Sequence, residues 1–130
     1  MSATVSSASL EATLLAVEQI LATGGDADDV LRDAVAAVHG GVPGIEWIGI
    51  SFVDDGALLL GPWAGAERAP DAPPPVRIPI RFQGTRVAEL GLACTPPDTA
   101  AQAQLERLAA LLAAHCLVGW DTGGVPWDAL

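Results

Sequence analysis

Side chains that do chemistry are few in this sequence, and their spacing suits most reactions poorly. Two cysteines, Cys94 and Cys116, and two histidines, His39 and His115, are all that 130 residues offer in thiols and imidazoles. The cysteines form no Cys-x-x-Cys pair and neither histidine stands at ligand spacing from them, so the pattern makes no zinc site. Both thiols read as core residues. Ser51 lies in a strand-like segment with no histidine placed predictably beside it, and a Ser-His-Asp arrangement has no support. Asp54 and Asp55 are adjacent carboxylates that a metal could use, but with Gly56 behind them they fit a hairpin turn better. His39 falls at a helix end, where the dipole favours a cation, and His115 lies beside an apolar helical stripe. Gly-rich phosphate loops, paired catalytic carboxylates and basic stripes are missing. The expectation is a chain with no catalytic residue, no metal and no cofactor.

Charge narrows the partners. Sixteen acidic residues face six basic ones, all of them arginine, for a net charge of −10. Such a surface repels phosphate backbones and anionic membranes, so neither nucleic acid nor membrane is an expected partner. Solubility is its plainest consequence. The hydrophobic fraction of 51% is ample for the core of one domain, and the length falls short of two. No run is apolar for the length that a membrane span needs. Met1 to Val5 has no basic n-region, and Glu11 and Glu18 fall in the helical pattern that follows. A signal peptide is therefore not expected, which implies a cytoplasmic location and reduced thiols.

The elements that must position these residues are legible from periodicity. Leu10, Leu14, Val17 and Leu21 make one stripe of a helix from about Ser7 to Thr23, widened by Leu15 and Ile20. The stripe packs on the domain's own core or forms a seam with a second copy, and a homodimer through helices is the expected assembly. A second helix begins at Asp26, which can cap it, with Asp28 and Asp29 in its first turn. Its buried face is Val30, Leu31, Ala34, Val35 and Val38, and Gly40-Gly41 ends it. From Ile45 the period becomes two. A hairpin of about Trp47–Val53 and Ala57–Trp63, with a three-residue loop, pairs Phe52 with Leu58 and Ile50 with Leu60. Residues 64–75 carry four prolines and no periodicity, an irregular or polyproline-like connection. The second hairpin, Val76–Phe82 and Arg86–Cys94, pairs Ile80 with Ala88 and Ile78 with Leu90. Pro79 lacks a donor and needs an unpaired position. Asp98 caps a last helix, to about Leu117, with the stripe Leu105, Leu108, Leu112 and Cys116. Residues 119–130 form a Gly-rich tail whose Trp120 and Trp127 are expected to pack on the domain's surface.

Three helices on one face of an antiparallel sheet of about four strands is an α+β layering. The helix-facing side is then Ile48, Ile50, Phe52, Leu58, Leu60, Ile78, Ile80, Leu90 and Leu92. Trp47, Gly49, Ser51, Leu59, Arg77, Arg81 and Glu89 fall on the opposite side, with Arg77 and Arg81 diagonal to Glu89 and in reach of ion pairing. That side holds the candidate ligand-binding residues, Trp47, Ser51, Trp63, Arg77, Arg81 and Glu89. A concave face would suit a small anionic or planar molecule, and a flat one a protein partner. The third alternative is that the Pro-rich connection folds over the face and fills it.

Trp47 to Gly65, WIGISFVDDGALLLGPWAG, resembles the first hairpin of GAF domains, and is especially similar to the free methionine-(R)-sulfoxide reductase branch with its "WxGxYxVD…L.LGPFxG" pattern. Ile78 to Leu92, IPIRFQGTRVAELGL, resembles the family's late hairpin, "hxVPhxxxGxxxGxLxh". The resemblance spans roughly residues 10–118. It implies a GAF-like, profilin/PAS-like fold as a single domain over 1–118. It implies a sensory, regulatory or interaction module, with a divergent sulfoxide reductase or a purely structural dimerisation domain as alternatives. In GAF domains a middle section of several dozen residues roofs the ligand cavity, and in the reductases it carries the reactive cysteines. Here that interval is Ala64 to Pro75, without a cysteine, and neither Cys94 nor Cys116 matches a catalytic position. The bilin-attachment cysteine and the Asn-Lys-Phe-Asp-Glu type motif of cyclic-nucleotide GAF domains are missing too.

Overall fold

Each helix begins on a side chain that satisfies its open N-terminal amides. A computed structural model of the chain describes residues 5–54, 57–66 and 74–119, the side chains of 27, 54 and 117–119 excepted. Ser6 caps α1 (Ser7–Thr23), accepting from Ser9 N, and Asp26 caps α2 (Ala27–Gly41), accepting from Asp28 N. Asp98 caps α3 (Thr99–Gly119), its Oδ1 accepting from Ala101 N at 2.8 Å. Each such cap contributes about 1 kcal/mol. The stripes Leu10-Leu14-Val17 and Leu105-Leu108-Leu112-Cys116 are buried as their spacing requires, whereas Leu15 is exposed on α1. Thr13 is buried where α1 meets α2, its hydroxyl against Gly41, and a Cβ there would stand 2.6 Å from Thr13 Oγ1.

Four strands, β1 (Trp47–Asp54), β2 (Ala57–Gly65), β3 (Val76–Phe82) and β4 (Thr85–Ala93), form one antiparallel sheet in the order β2-β1-β4-β3. The order has a local cause. Pro62 and Pro79 sit in β2 and β3, and a proline that cannot donate to a ladder belongs on an edge. That leaves β1 and β4 to pair in the centre. α2 packs over β1 and β2, α3 over β3 and β4, and α1 lies against α2 and α3. One continuous core joins the helical stripes to Ile48, Ile50, Phe52, Ile78, Ile80, Ala88, Leu90 and Leu92. No described helix is long and apolar enough to cross a membrane.

The second hairpin has the expected pairs Ile80–Ala88 and Ile78–Leu90. Its turn is tighter than a three-residue loop: Phe82 pairs with Thr85 across Gln83-Gly84, both at positive φ, as a two-residue turn requires. A bulge then sets Arg86 and Val87 opposite Arg81. The first hairpin departs from expectation. Asp54 pairs with Ala57, so Phe52 stands opposite Leu59, with Leu58 opposite Val53 and Leu60 opposite Ser51. A one-residue change of register moves side chains to the other face. Leu58 and Leu60 therefore lie on the side away from the helices, and Leu59 shares the side of Phe52. Between Leu60 and Trp63 two residues, Gly61 and Pro62, oppose Ile50 alone. This bulge restores Ala64 to the helix side and places the donor-less Pro62 where the ladder is already broken. The turn residues 55–56, most of the Pro-rich connection and the two tail tryptophans lie outside the described residues.

Candidate functional site

The sheet face away from the helices is assembled in rows that the register dictates. One row runs Trp63, Gly49, Gly91, Arg77 across β2, β1, β4 and β3, and the next runs Leu60, Ser51, Glu89, Pro79. Trp47, two residues before Gly49, shares this face. Its indole lies over Gly49, where a Cβ would come within 2.4 Å of Trp47 Cη2. At Gly91 a Cβ would meet Pro74 Cγ at 2.7 Å and Trp47 Cζ3 at 3.4 Å. The two central glycines thus form a floor that only a residue without a side chain can supply, and Trp47 and Pro74 cover it. Trp63 stacks beside Trp47, with ring centroids 6.5 Å apart and planes inclined by 25°. Trp47 is buried and Trp63 is partly open to solvent.

The adjacent row holds the charged cluster. Glu89 is only 7% exposed, which an ionised carboxylate tolerates when it is paired. Arg77 Nε and Nη2 donate to its two oxygens at 2.7 and 3.0 Å, a bidentate fork. Arg86 Nη2 donates to Oε2 as well. The hydrogen bond to Glu89, and then its charge, holds the Arg77 guanidinium above its ordinary pKa. Ser51 is Glu89's neighbour across the β1–β4 ladder.

The structure therefore brings Trp47 together with Trp63, and Arg77 with Glu89, and sets Ser51 beside them. Arg81 does not join. It stands opposite Arg86 and makes no ion pair among the described residues. Arg86 takes the position expected of Arg81, and the reason is the bulge at Val87. Residues three apart on a regular strand face opposite ways, and one extra residue returns Arg86 to the side of Glu89. Its signal in the sequence was weak, since a strand bulge leaves no periodicity to read. Gly49 and Gly91 were better signalled, because a glycine inside a strand marks a close approach.

The remaining reactive groups are elsewhere and subdued. Cys116 is buried in the α3 stripe, where burial pushes its thiol up to about 12. Cys94, half-buried just after β4, is also raised by burial. A thiolate is the nucleophilic form, so neither side chain is primed at neutral pH. His39 ends α2 and rests near Gly65, and His115 Nδ1 is buried without a partner among the described residues. Among the described residues no three His, Cys, Asp or Glu side chains stand close enough to hold a metal ion.

No protein-family model matches the sequence, and no curated protein matches it significantly. Solved structures do. The chain is similar to fRMsr of Staphylococcus aureus in complex with substrate (TM-score 0.62, 14% identity, covering 80% of this chain and 95% of that one). It is similar to the type II free methionine-R-sulfoxide reductase from Thermoplasma acidophilum (TM-score 0.59, 16% identity, 69% and 91%). It is also similar to the GAF domain from Acinetobacter phosphoenolpyruvate-protein phosphotransferase (TM-score 0.55, 14% identity, 83% and 90%). At such identities the likeness concerns the fold alone, and the fold of this chain, an open four-stranded antiparallel sheet with three helices, is GAF-like.

Proposed function

We propose that this chain is a non-catalytic GAF-like module, sensory or regulatory, that acts by binding rather than by turnover. The observation that carries the reading is the state of its two thiols. Burial raises the pKa of both and so disfavours the thiolate, and Cys116 sits in the core. Reduction of a sulfoxide by cysteine needs an exposed thiolate and a resolving partner. The outer sheet face, with Trp47, Ser51, Trp63, Arg77, Arg81 and Glu89, is the candidate contact surface for a small molecule or a protein. Arg81 makes no ion pair among the described residues, whereas Glu89 is already matched by Arg77 and Arg86. A homodimer through helices would have to use the exposed Leu15 side of α1, since Leu10, Leu14 and Val17 are spent on the domain's own core, and a cytoplasmic setting suits the reduced thiols.

A second reading, a divergent free methionine-(R)-sulfoxide reductase, is favoured by the fold shared with the two reductase structures. One experiment separates the two. The folded protein is incubated at neutral pH with an aromatic disulfide reagent, and separately with free methionine-(R)-sulfoxide and dithiothreitol. The binding reading expects no fast-reacting thiol and no methionine. A rapidly labelled cysteine together with methionine production overturns it. Native mass spectrometry of the same sample counts subunits and shows whether a small molecule is retained.

A further inference from the structure

The outer sheet face gathers cations in an otherwise acidic molecule. Arg77 and Arg81 project from β3 on the side away from the helices, and Arg86 joins them from β4. Three of the six arginines of a chain with sixteen acidic residues thus share one face, matched among the described residues by Glu89 alone. Arg32 and Arg107 pair with acids elsewhere. Arg81 makes no ion pair among the described residues, and it stands directly opposite Arg86 across the ladder. Like charges so placed repel one another, and an anion between them would relieve the repulsion. Arg86 gives only Nη2 to Glu89, so its other donors are unspent beside Arg81.

The opposite margin of the same face is apolar. The register turns Leu58 and Leu60 of β2 outward beside Trp63, and the three are 36%, 53% and 42% exposed. β2 and β3 are the two edges of the sheet, three strand spacings or about 14 Å apart. Between them Trp47 and Pro74 take up the glycine floor where a planar ligand could have lain. An α-helix with its side chains is about 10–12 Å across, so one helix laid along the strands spans the face. Arg77 and Arg81 are about 13 Å apart along β3, close to two turns of such a helix. A second copy laid face to face does not complete this pattern. A two-fold axis along the strands sets arginine over leucine, one across the strands sets arginine over arginine, and neither brings an acid to Arg81. We propose that the outer sheet face docks an amphipathic helix of another protein, its apolar side over β2 and its aspartates or glutamates over Arg81 and Arg86. The proposal rests on the binding reading above and names the partner of that same face.

The test pans a displayed library of helical peptides of about eighteen residues, five turns, against the full chain. The peptides carry a fixed leucine stripe and are randomised on both its flanks, and a selected peptide is then titrated by fluorescence anisotropy. Aspartate or glutamate should be enriched on one flank. Arg81→Glu should lower the affinity about tenfold, the factor carried by one charge-assisted pair, and turn the preference to a peptide with lysine in place of its acids. Leu60→Thr should weaken binding from the apolar side. Both side chains are exposed, so both variants should melt as the wild type does. Arg81→Gln, which should show the same loss, covers the case in which the charge reversal fails to fold. An unenriched library overturns the proposal, as does a consensus without acids, an affinity unchanged in Arg81→Glu and Arg81→Gln, or binding that survives a proline in the middle of the peptide. Displacement of the peptide by inorganic phosphate would make a small anion the occupant and equally overturn it. So would self-association that Arg81→Glu abolishes, which would make the occupant a second copy. Thiol turnover in the assay above would sink the binding reading, whereas an unenriched library with silent thiols would sink this proposal alone.

Discussion

Substituting Gly49→Ala isolates the packing that closes the outer face. Gly49 lies outside the left-handed backbone region, so alanine meets no conformational penalty and only space decides the outcome. The new methyl would stand 2.4 Å from Trp47 Cη2 and 2.7 Å from Cζ2. A free side-chain tip would swing away at little cost, but this ring is buried, stacked on Trp63 and neighboured by Pro74 over Gly91. Forcing it aside should cost about 2 kcal/mol, in the range for overpacking a filled site. For a chain of this size that is a fall in melting temperature of roughly 6–10 °C. The clashing atoms all belong to the outer ring of the indole, which phenylalanine lacks. In a Trp47→Phe background the same Gly49→Ala change should be neutral, or stabilising by up to about 1 kcal/mol from reduced freedom of the unfolded chain. Urea denaturation of the four proteins measures the coupling, expected near 2 kcal/mol and well beyond the roughly 0.5 kcal/mol scatter of additive pairs. Near-ultraviolet circular dichroism should show a weakened tryptophan band in Gly49→Ala relative to wild type, whereas the same change in the Trp47→Phe background, already without the Trp47–Trp63 pair, should leave the band unaltered. Equal destabilisation in both backgrounds would refute the packing of Trp47 over the glycine floor.

Two further outcomes follow from the cluster and the core. Arg86→Ala removes one donor from buried Glu89 and should cost about 1 kcal/mol, reduced by the guanidinium's exposure. Arg81→Ala should stay within about 0.5 kcal/mol of wild type by denaturant titration, and the reverse ranking would contradict the bulge at Val87. Cys116 binds its proton more tightly folded, at about 12, than unfolded, at 9.0. Its contribution is therefore full below pH 9 and is lost as pH rises from there toward 12. Melting temperature against pH should fall more steeply in that window for the wild type than for Cys116→Ala.

Features under short-range control were legible before any folding was seen. The helix limits follow from capping Asp26 and Asp98 and from the 3.6-residue stripes, and the expected α1, about Ser7 to Thr23, matches the observed helix. The Ile78–Leu90 and Ile80–Ala88 pairs and the Arg77–Glu89 ion pair were legible from the apolar alternation, and they hold although the turn is one residue tighter than expected because the bulge at Val87 takes up the difference. Pro79 signalled an unpaired position in β3, which its place at the sheet edge supplies. Tertiary structure decided whatever depends on a bulge or on partners distant in sequence. The Asp54–Ala57 pairing and the Gly61-Pro62 bulge shift β2 twice, exposing Leu58 and Leu60 where simple alternation buried them. A second bulge exchanges Arg81 for Arg86 at Glu89. The closure of the outer face needs Trp47 and Gly91, which only the pairing of β1 with β4 brings together. The candidate residues were thus visible as residue types on one face. Whether that face was open or packed depended on where one indole ring came to rest, and periodicity carries no record of that.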